Sequence, residues 1–406
     1  MFVRIGNTPR DYAWGSTTAI AGLLGTPASG HPEAELWLGA HPGSASRILD
    51  PEQTGGAEDL AAWIDRDPVD ALGAADGRLP YLLKVLAAAG PLSLQAHPST
   101  AQAQAGFARE NAAGIPLDSP DRNYKDATHK PELIFALSDT FAALCGFRDV
   151  HGSAALIERL ATAAAGAERS AIESFAATLH GEPSQTLRRA TEWLLGGEPA
   201  VADLVAAVVS AGDAVDPDPA GDDLAVAADT IRLLATSFPG DPGIVLALLL
   251  NRVTLTSGQT LYLPAGNIHA YLHGLGIELM AASDNVLRGG LTPKRIDVPE
   301  LVSILDFSPI TPEPLAPERL APGVEVFRPD VPDFALDHVE LGDAVRTAAV
   351  ALPGAAIALC TAGSLTLSGG NGRIELARGE TVYITPNEGE LTVAGTGTLF
   401  IATPNS

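Results

Sequence analysis

Lysine is nearly absent from this chain: four of its 25 basic residues, and the rest are arginine. Arginine fills almost every cationic role, so a lysine that persists marks a place that needs a compact ammonium. The four are Lys84, Lys125, Lys130 and Lys294, in the stretches YLLKVL, NYKD, THKPE and LTPKR. Three of them lie close in sequence to Gln95, His97, His129 and Glu132. On a chain of net charge −24 this clustering points to one site that handles an anion. Cysteine is as scarce. Cys145 and Cys360 alone exclude a disulfide framework and a cysteine-rich metal site. An excess of positive charge is missing too, which argues against nucleic acid, whose phosphates need a basic footprint. A small anion then needs a local basic pocket working against the overall field. Long hydrophobic runs are lacking: the longest, Ile244 to Leu250, is far short of the roughly 20 residues that span a bilayer. The start, MFVRIGNTPRDYAWG, does not read as a signal peptide. The expectation is a soluble cytoplasmic protein with no membrane partner, acting as a monomer or weak homo-oligomer.

Hydrophobic residues at 46% leave ample material for buried cores. Residues 1–150 mix short β-type apolar runs with Pro/Gly turns, and helices are expected near Ala57 to Ala75 and Thr100 to Asn111. Residues 151–250 change character. Helical spacing recurs at Leu156, Leu160 and Ala164, at Leu187, Ala190 and Leu194, and at Leu224, Ala227, Ile231 and Leu234. This predicts a module of five or six helices, with Ala211 to Asp223 as an exposed linker inside it. After Asn251 the period returns to two, and from Val324 onward short strands and turns are expected. One pattern repeats: Leu255-x-x-Gly258-x-Thr260-x-Tyr262 recurs as Leu376-x-x-Gly379-x-Thr381-x-Tyr383. Two copies of a strand–turn–strand unit predict two related β-barrel modules. The first copy runs into PAGNIHAY and the second into PNEGE, without a histidine.

The segment Leu92-Ser93-Leu94-Gln95-Ala96-His97 alternates strictly. On a strand it sends Ser93, Gln95 and His97 to one face. Glu132 follows at the head of an apolar run, where a carboxylate needs a partner and a metal is a good one. His269 comes straight off a Pro/Gly turn and is preferred to nearby His273. Gln95, His97, Glu132 and His269 make an N2O2 set that suits catalytic Zn²⁺, with Mn²⁺, Co²⁺ or Fe²⁺ open because no thiolate is present. His41, in WLGAHP, is read as packing. The run from Gly276 to Lys294 adds Asp284 in a turn, Arg288 before two glycines, and Lys294 after Thr-Pro. Arginine forks and lysine point charges are phosphate binders.

The runs PLSLQAHPS, NYKDATHKPELIFAL, PAGNIHAYL and SDNVLRGGLTPK, with YAWGS and ELWLG near the start, together resemble the type I mannose-6-phosphate isomerases. The resemblance spans the chain and is strongest over residues 80–148 and 258–300. It implies a mainly β fold with an α-helical insertion: a cupin-type (jelly-roll) catalytic barrel from residues 1–150 and 251–320, a helical domain at 151–250, and a metal-free cupin-like barrel at 321–406. It implies zinc on Gln95, His97, Glu132 and His269, an active-site arginine at Arg288, and Lys84, Lys130, Lys294, Asp284, Glu278, Tyr271, Ser93 and Trp14 around the pocket. The expected reaction interconverts an aldose and a ketose phosphate through an enediol. Lys84, Ser93 and Lys294 are the expected phosphate contacts, with Arg288 as a shared one, His129 and Asp284 the ring-opening acid/base pair, and Lys130 either a base or an electrostatic clamp. Alternatives are a metal-cupin enzyme of other chemistry and a non-catalytic sugar-phosphate-binding protein.

Overall fold

The computed structural model describes residues 1–75 and 77–405. Among the described residues two antiparallel sheets dominate, one of nine strands and one of ten, alongside 11 α-helices. The nine-stranded sheet runs from Leu287–Gly290 through Leu94–Ala96, His269–Ala281 and Tyr81–Ala88 to Glu35–Leu38. Strands Glu132–Ala136, Phe141–Phe147, Leu250–Leu255 and Thr260–Leu263 complete it. The 13-residue strand His269–Ala281 is its spine. Its first part pairs with Phe141–Phe147 and Gln95, and its second with Tyr81–Ala88 and Glu132–Ala136. The strand changes partners at Gly274, whose φ of 131° and close approach to Phe141 leave no room for a side chain.

Both faces of this sheet are buried, and the outer face meets two different neighbours. Leu94, Ala96, Leu144, Ile268, Ala270, Leu272 and Leu287 share a core with the helices. Tyr81, Leu83, Val85, Leu133, Phe135, Ile277 and Leu279 share another with Ile357, Leu359, Phe400 and Ala402 of the ten-stranded sheet. The period of two then sends the intervening residues inward. Leu86, Ala88, Ile134, Ala136, Ala143, Cys145 and Tyr271 form a third, interior core. Polar residues of the same inward set collect toward one end of it. Strand Tyr81–Ala88 is buried at all eight positions, yet it still alternates, because its two faces meet different cores.

Six helices lie between Val150 and Leu246, as the spacing predicts. The expected linker at Ala211 is shorter than predicted, because the helix Pro199–Asp213 continues to Asp213. The N-terminal helix near residue 57 is two short ones, Leu60–Arg66 and Pro68–Leu72, broken at Asp67-Pro68. Thr100–Ala112 matches its expectation and is closed by a capping box of Ser99 and Gln102.

The C-terminal strands are not all short. Ala356–Ser368 and Glu390–Thr403 are 13 and 14 residues long and form the spine of the ten-stranded sheet. Strands Phe2–Gly6 and Arg47–Ile48 also join that sheet, at its far edge beyond Thr381–Ile384. Among the described residues no single helix is long and apolar enough to cross a membrane. The pair Pro183–Leu195 and Pro199–Asp213 reaches that composition only jointly and is bent by 99°.

Candidate active site and metal centre

Three neighbouring strands set a polar row across one end of the nine-stranded sheet. His269 stands opposite Gln95, and Gln95 opposite Arg288. Their sequence neighbours Leu94, Ala96, Ile268, Ala270 and Leu287 are held by the helical core, which fixes the direction of the polar set. Glu132, first residue of its strand, meets this row. His97 Nε2 lies 3.2 Å from Glu132 Oε1, and His269 Nε2 lies 3.2 Å from Glu132 Oε2. The Gln95 amide is 3.4 Å from His269 Nε2. His97, His269 and Glu132 are all buried.

The protonation pattern leaves a gap that a cation fits. His97 Nδ1–H donates to the carbonyl of Asn285 at 2.7 Å, and His269 Nδ1–H to that of Asn267 at 3.1 Å. With Nδ1 committed to a carbonyl, each ring turns its Nε2 to a carboxylate oxygen. His97 Nε2 and Glu132 Oε2 are buried with no hydrogen-bond partner. Burial pushes the pKa of His97 down to about 4, so the ring does not supply a proton near neutrality. Burial alone would raise the pKa of Glu132, but the neighbouring Lys130 ammonium holds it well below the usual carboxylate range. Lone pairs facing lone pairs in a water-poor site cost several kcal/mol unless a cation lies between them. His97, Glu132 and His269 fit a divalent ion, and turning the Gln95 amide over, so that its oxygen replaces the nitrogen now facing His269, would offer a fourth donor.

Beside this centre opens a cavity of about 970 Å³. All four lysines of the chain line it. Their environments differ. Lys84 stands opposite Glu278 on one side and Trp37 on the other, by strand register. Its Nζ is 2.9 Å from Glu278 and 3.4 Å from Glu35. Burial opposes its charge, but these carboxylates raise its pKa above the usual lysine value. Lys130 Nζ lies 3.0 Å from Glu132 Oε1. Lys125 donates to the backbone carbonyls of Leu117 and Ser119, pinning that loop at the mouth. Buried Glu35, Glu132 and Glu278 face buried Lys84 and Lys130, which leaves one negative charge uncompensated. A bound dication would reverse that sign.

Lys294 and Arg288 have no carboxylate partner among the described residues. The charge of Arg288 and then burial depress the pKa of Lys294, and burial depresses that of Arg288. Two unpaired cations at one end of a cavity make an anion seat. Ser93, Trp14, Tyr271, Glu278 and Asp284 also line the cavity. Trp14 stacks on Tyr12 at 5.7 Å. The Tyr271 hydroxyl is buried without a partner, and burial, then the charges of Glu278 and Glu132, keep it protonated.

His129 is not brought to the cavity. Its Nε2 pairs with Asp333 at 2.7 Å, in the loop between the strands Val324–Phe327 and Ala335–Leu341 of the ten-stranded sheet. His129, Lys130 and Pro131 precede the strand that begins at Glu132, and there the His129 side chain turns to Asp333 while Lys130 turns to Glu132. The expected ring-opening role of His129 is corrected on that ground. Lys84, expected as a phosphate contact, does line the cavity, with its ammonium paired to two carboxylates. His273 lies away from the centre, beside Arg252 and Asp229.

Sequence reasoning missed the residues that orient the site. Asn285 is wholly buried. It accepts from the backbone N–H of Lys125 and donates to the carbonyls of Asp126 and Thr128, while its own carbonyl fixes His97. Asn267 does the same for His269. His41 reaches Asp284 (Nε2 to Oδ1, 3.3 Å). Only the density of turn-forming residues around Ser283-Asp284-Asn285 signalled any of this.

The chain matches two family profiles, "Phosphomannose isomerase type I, catalytic domain" over residues 2–150 and "Mannose-6-phosphate isomerase, cupin domain" over residues 325–404. It is 41% identical to the mannose-6-phosphate isomerase of Shigella flexneri over 97% of both chains. It is 32% identical to that of Homo sapiens over 93% of this chain and 92% of the relative. Among solved structures, a mannose 6-phosphate isomerase bound with zinc and yttrium superimposes with TM-score 0.86 at 37% identity, covering both chains completely. A zinc-bound holo form gives 0.86 at 36%, again over both whole chains.

Proposed function

The chain belongs to the type I mannose-6-phosphate isomerases, an enzyme family, and from that premise we propose that it interconverts mannose 6-phosphate and fructose 6-phosphate with one zinc ion per chain. We read the nine-stranded sheet as a catalytic cupin barrel from residues 1–150 and 251–320, with 151–250 as a helical insertion and 321–406 as a second cupin barrel. Strands Phe2–Gly6 and Arg47–Ile48 belong by pairing with that second barrel. The observation that carries the reading is the convergence of Gln95, His97, Glu132 and His269 beside a cavity lined by every lysine in the chain.

In this reading Arg288 and Lys294 hold the phosphate, since their charges are not committed elsewhere. Binding energy from that end orients the sugar over the polar row. Trp14 and Trp37 close the sides, and Ser93 and Tyr271 offer hydroxyl groups to the sugar. Zinc held by Gln95, His97, Glu132 and His269 would supply Lewis-acid stabilisation to oxygens at C1 and C2. Asp284 is the carboxylate free to move protons, because Glu35, Glu132 and Glu278 each have an ammonium partner and it does not. Burial would raise its pKa, but His41, Lys130 and Lys84 bring the net shift down, so it is ionised at neutral pH. It accepts the O1–H proton as the C1–O5 bond opens, and a proton returns at O5. Isomerisation then removes the C2 proton to give an enediolate, passes the O2–H proton to O1 and returns a proton to C1, which leaves the carbonyl at C2. Lys130, bound to Glu132, acts as a clamp for the negative charge that develops, not as the base.

A coupled assay that follows fructose 6-phosphate formed from mannose 6-phosphate tests this. Zinc-loaded protein should turn over, and chelated protein should not until zinc is restored. No turnover by the loaded protein would refute the reading. Turnover of a different sugar phosphate alone would keep the reaction class and replace the substrate.

A further inference from the structure

His41 lies outside the cavity lining, and its side chain is 4% exposed. It follows the strand Glu35–Leu38 in a tight turn. Its ring packs edge-on against Trp37, with centroids 4.9 Å apart at 86°. The backbone N–H of Gly43 donates to His41 Nδ1 at 3.1 Å. A nitrogen that accepts carries a lone pair, so the proton of the neutral ring sits on Nε2. That nitrogen lies 3.3 Å from Asp284 Oδ1. Asp284 itself is half exposed to the cavity. The imidazole is thus fixed on three sides: a backbone donor at one nitrogen, an indole edge beside the ring, and a carboxylate at the other nitrogen. The same Trp37 ring lies 5.0 Å from the Lys84 ammonium. One rigid wall therefore serves both the ion-paired lysine and the carboxylate.

We propose that His41 is a positioning residue for Asp284: it holds the carboxylate toward the substrate's reducing end and, by donating one hydrogen bond, keeps it ionised as a base. The inference rests on the proton-transfer role assigned to Asp284 above. A neutral donor suits this task better than lysine or arginine. An ammonium would pair with the carboxylate and make it a weaker base, whereas a neutral N–H orients it and leaves it basic. Rigid support of this kind is what separates a group that is merely present from one in reacting position.

Two substitutions separate orientation from packing. His41→Asn keeps an acceptor for the Gly43 N–H but is too short to reach Asp284. His41→Gln places a donor near the Nε2 position. In zinc-loaded full-length protein, His41→Asn should lower kcat about tenfold to a hundredfold, with KM changed less than about threefold. It should also move the acid limb of the kcat/KM profile to higher pH, because a carboxylate that loses a donor is a stronger base and gains its proton earlier on acidification. His41→Gln should recover most of kcat and return the limb to its original position. Combined with Asp284→Asn, His41→Asn should add almost no further loss. Losses that multiply in the double variant, or a His41→Asn enzyme with the parent's rate and limb, would overturn the proposal. If His41→Asn does not fold, His41→Gln decides: an unmoved limb supports the role, and an upward shift despite the retained donor refutes it. Full activity in Asp284→Asn would instead refute the underlying assignment of Asp284, and that outcome is distinct from the others.

Discussion

The two copies of the repeated strand–turn–strand unit fold alike and end differently. Gly258 and Gly379 turn with φ of 90° and 87°, and Leu255 and Leu376 are both buried ahead of them. Thr260–Leu263 and Thr381–Ile384 follow as strands, and each copy then leads through a turn into the long strand of its sheet. In the first copy that turn delivers His269 to Glu132, whose Oε2 finds no donor from the protein. In the second it delivers Glu388, equally buried, whose Oε2 accepts from the backbone N–H groups of Asn371 and Gly372 and whose Oε1 lies 2.6 Å from the Met1 ammonium. Glu388 is met by two backbone N–H donors and an ammonium of the chain itself, whereas Glu132 is met by Lys130 and the Nε2 atoms of two imidazoles. The lesson is that a shared scaffold places a carboxylate, while the donors around it decide whether the place becomes a metal centre or a structural knot.

Exchanging the charge at each carboxylate is the strongest test of that contrast. Glu132→Gln should release the metal and lower turnover about a thousandfold, read by metal analysis and the coupled assay. Glu388→Gln should leave turnover within about twofold and lower the unfolding midpoint, since removing half of a satisfied buried pair costs about 1–3 kcal/mol. Equal effects of the two on activity would break the comparison.

A second contrast concerns Asp337, buried in the ten-stranded sheet. Burial pushes its pKa up to about 7, against the pull of Arg328. A carboxyl raised in the fold contributes stability that is complete below about pH 4, falls as pH rises, and is exhausted above about pH 7. Asp337→Asn should therefore stabilise the protein by about 3 kcal/mol at pH 8 and little at pH 4, seen as a flatter Tm–pH curve. A parallel, unflattened curve would show that this carboxyl does not titrate with folding.

Smaller again is the anion seat. Lys294→Ala should raise KM for mannose 6-phosphate about tenfold to a hundredfold, because a charge-assisted hydrogen bond contributes about 1.5–3 kcal/mol. Metal content should not change. The smallest expected effect is at the paired glycines. Gly258→Ala meets open space and should cost about 1 kcal/mol of backbone strain, whereas at Gly379 a methyl group would meet the carbonyl of Leu24 and should cost more, measurable by denaturant unfolding. Equal costs would mean that the two turns are packed alike after all.

Much of the site was legible in one dimension because strands write their faces into the sequence. Gln95 and His97 alternate with Leu94 and Ala96, and His269 and Tyr271 with Ile268 and Ala270. Scarcity did the same for lysine, and all four line one cavity. His129 misled because it sits beside Lys130 and Glu132 in the chain, yet in the irregular segment before their strand its ring turns away to Asp333. The ion pairs of Lys84 were not legible, because its partners Glu35 and Glu278 are set by strand register across the sheet, which a linear reading does not contain.

By itself the sequence determined what is local or periodic: the change from period two to helical spacing near residue 150, the repeated glycine turn, the donor types gathered for a metal, and the family. Tertiary structure alone decided the remainder. It joined Phe2–Gly6 to strands nearly four hundred residues away. It aimed each ligand imidazole with a carbonyl from a turn, and it chose which cations stay unpaired. Such choices depend on which surfaces meet when cores close, and the charge left without a partner is known only once every other charge has found its own.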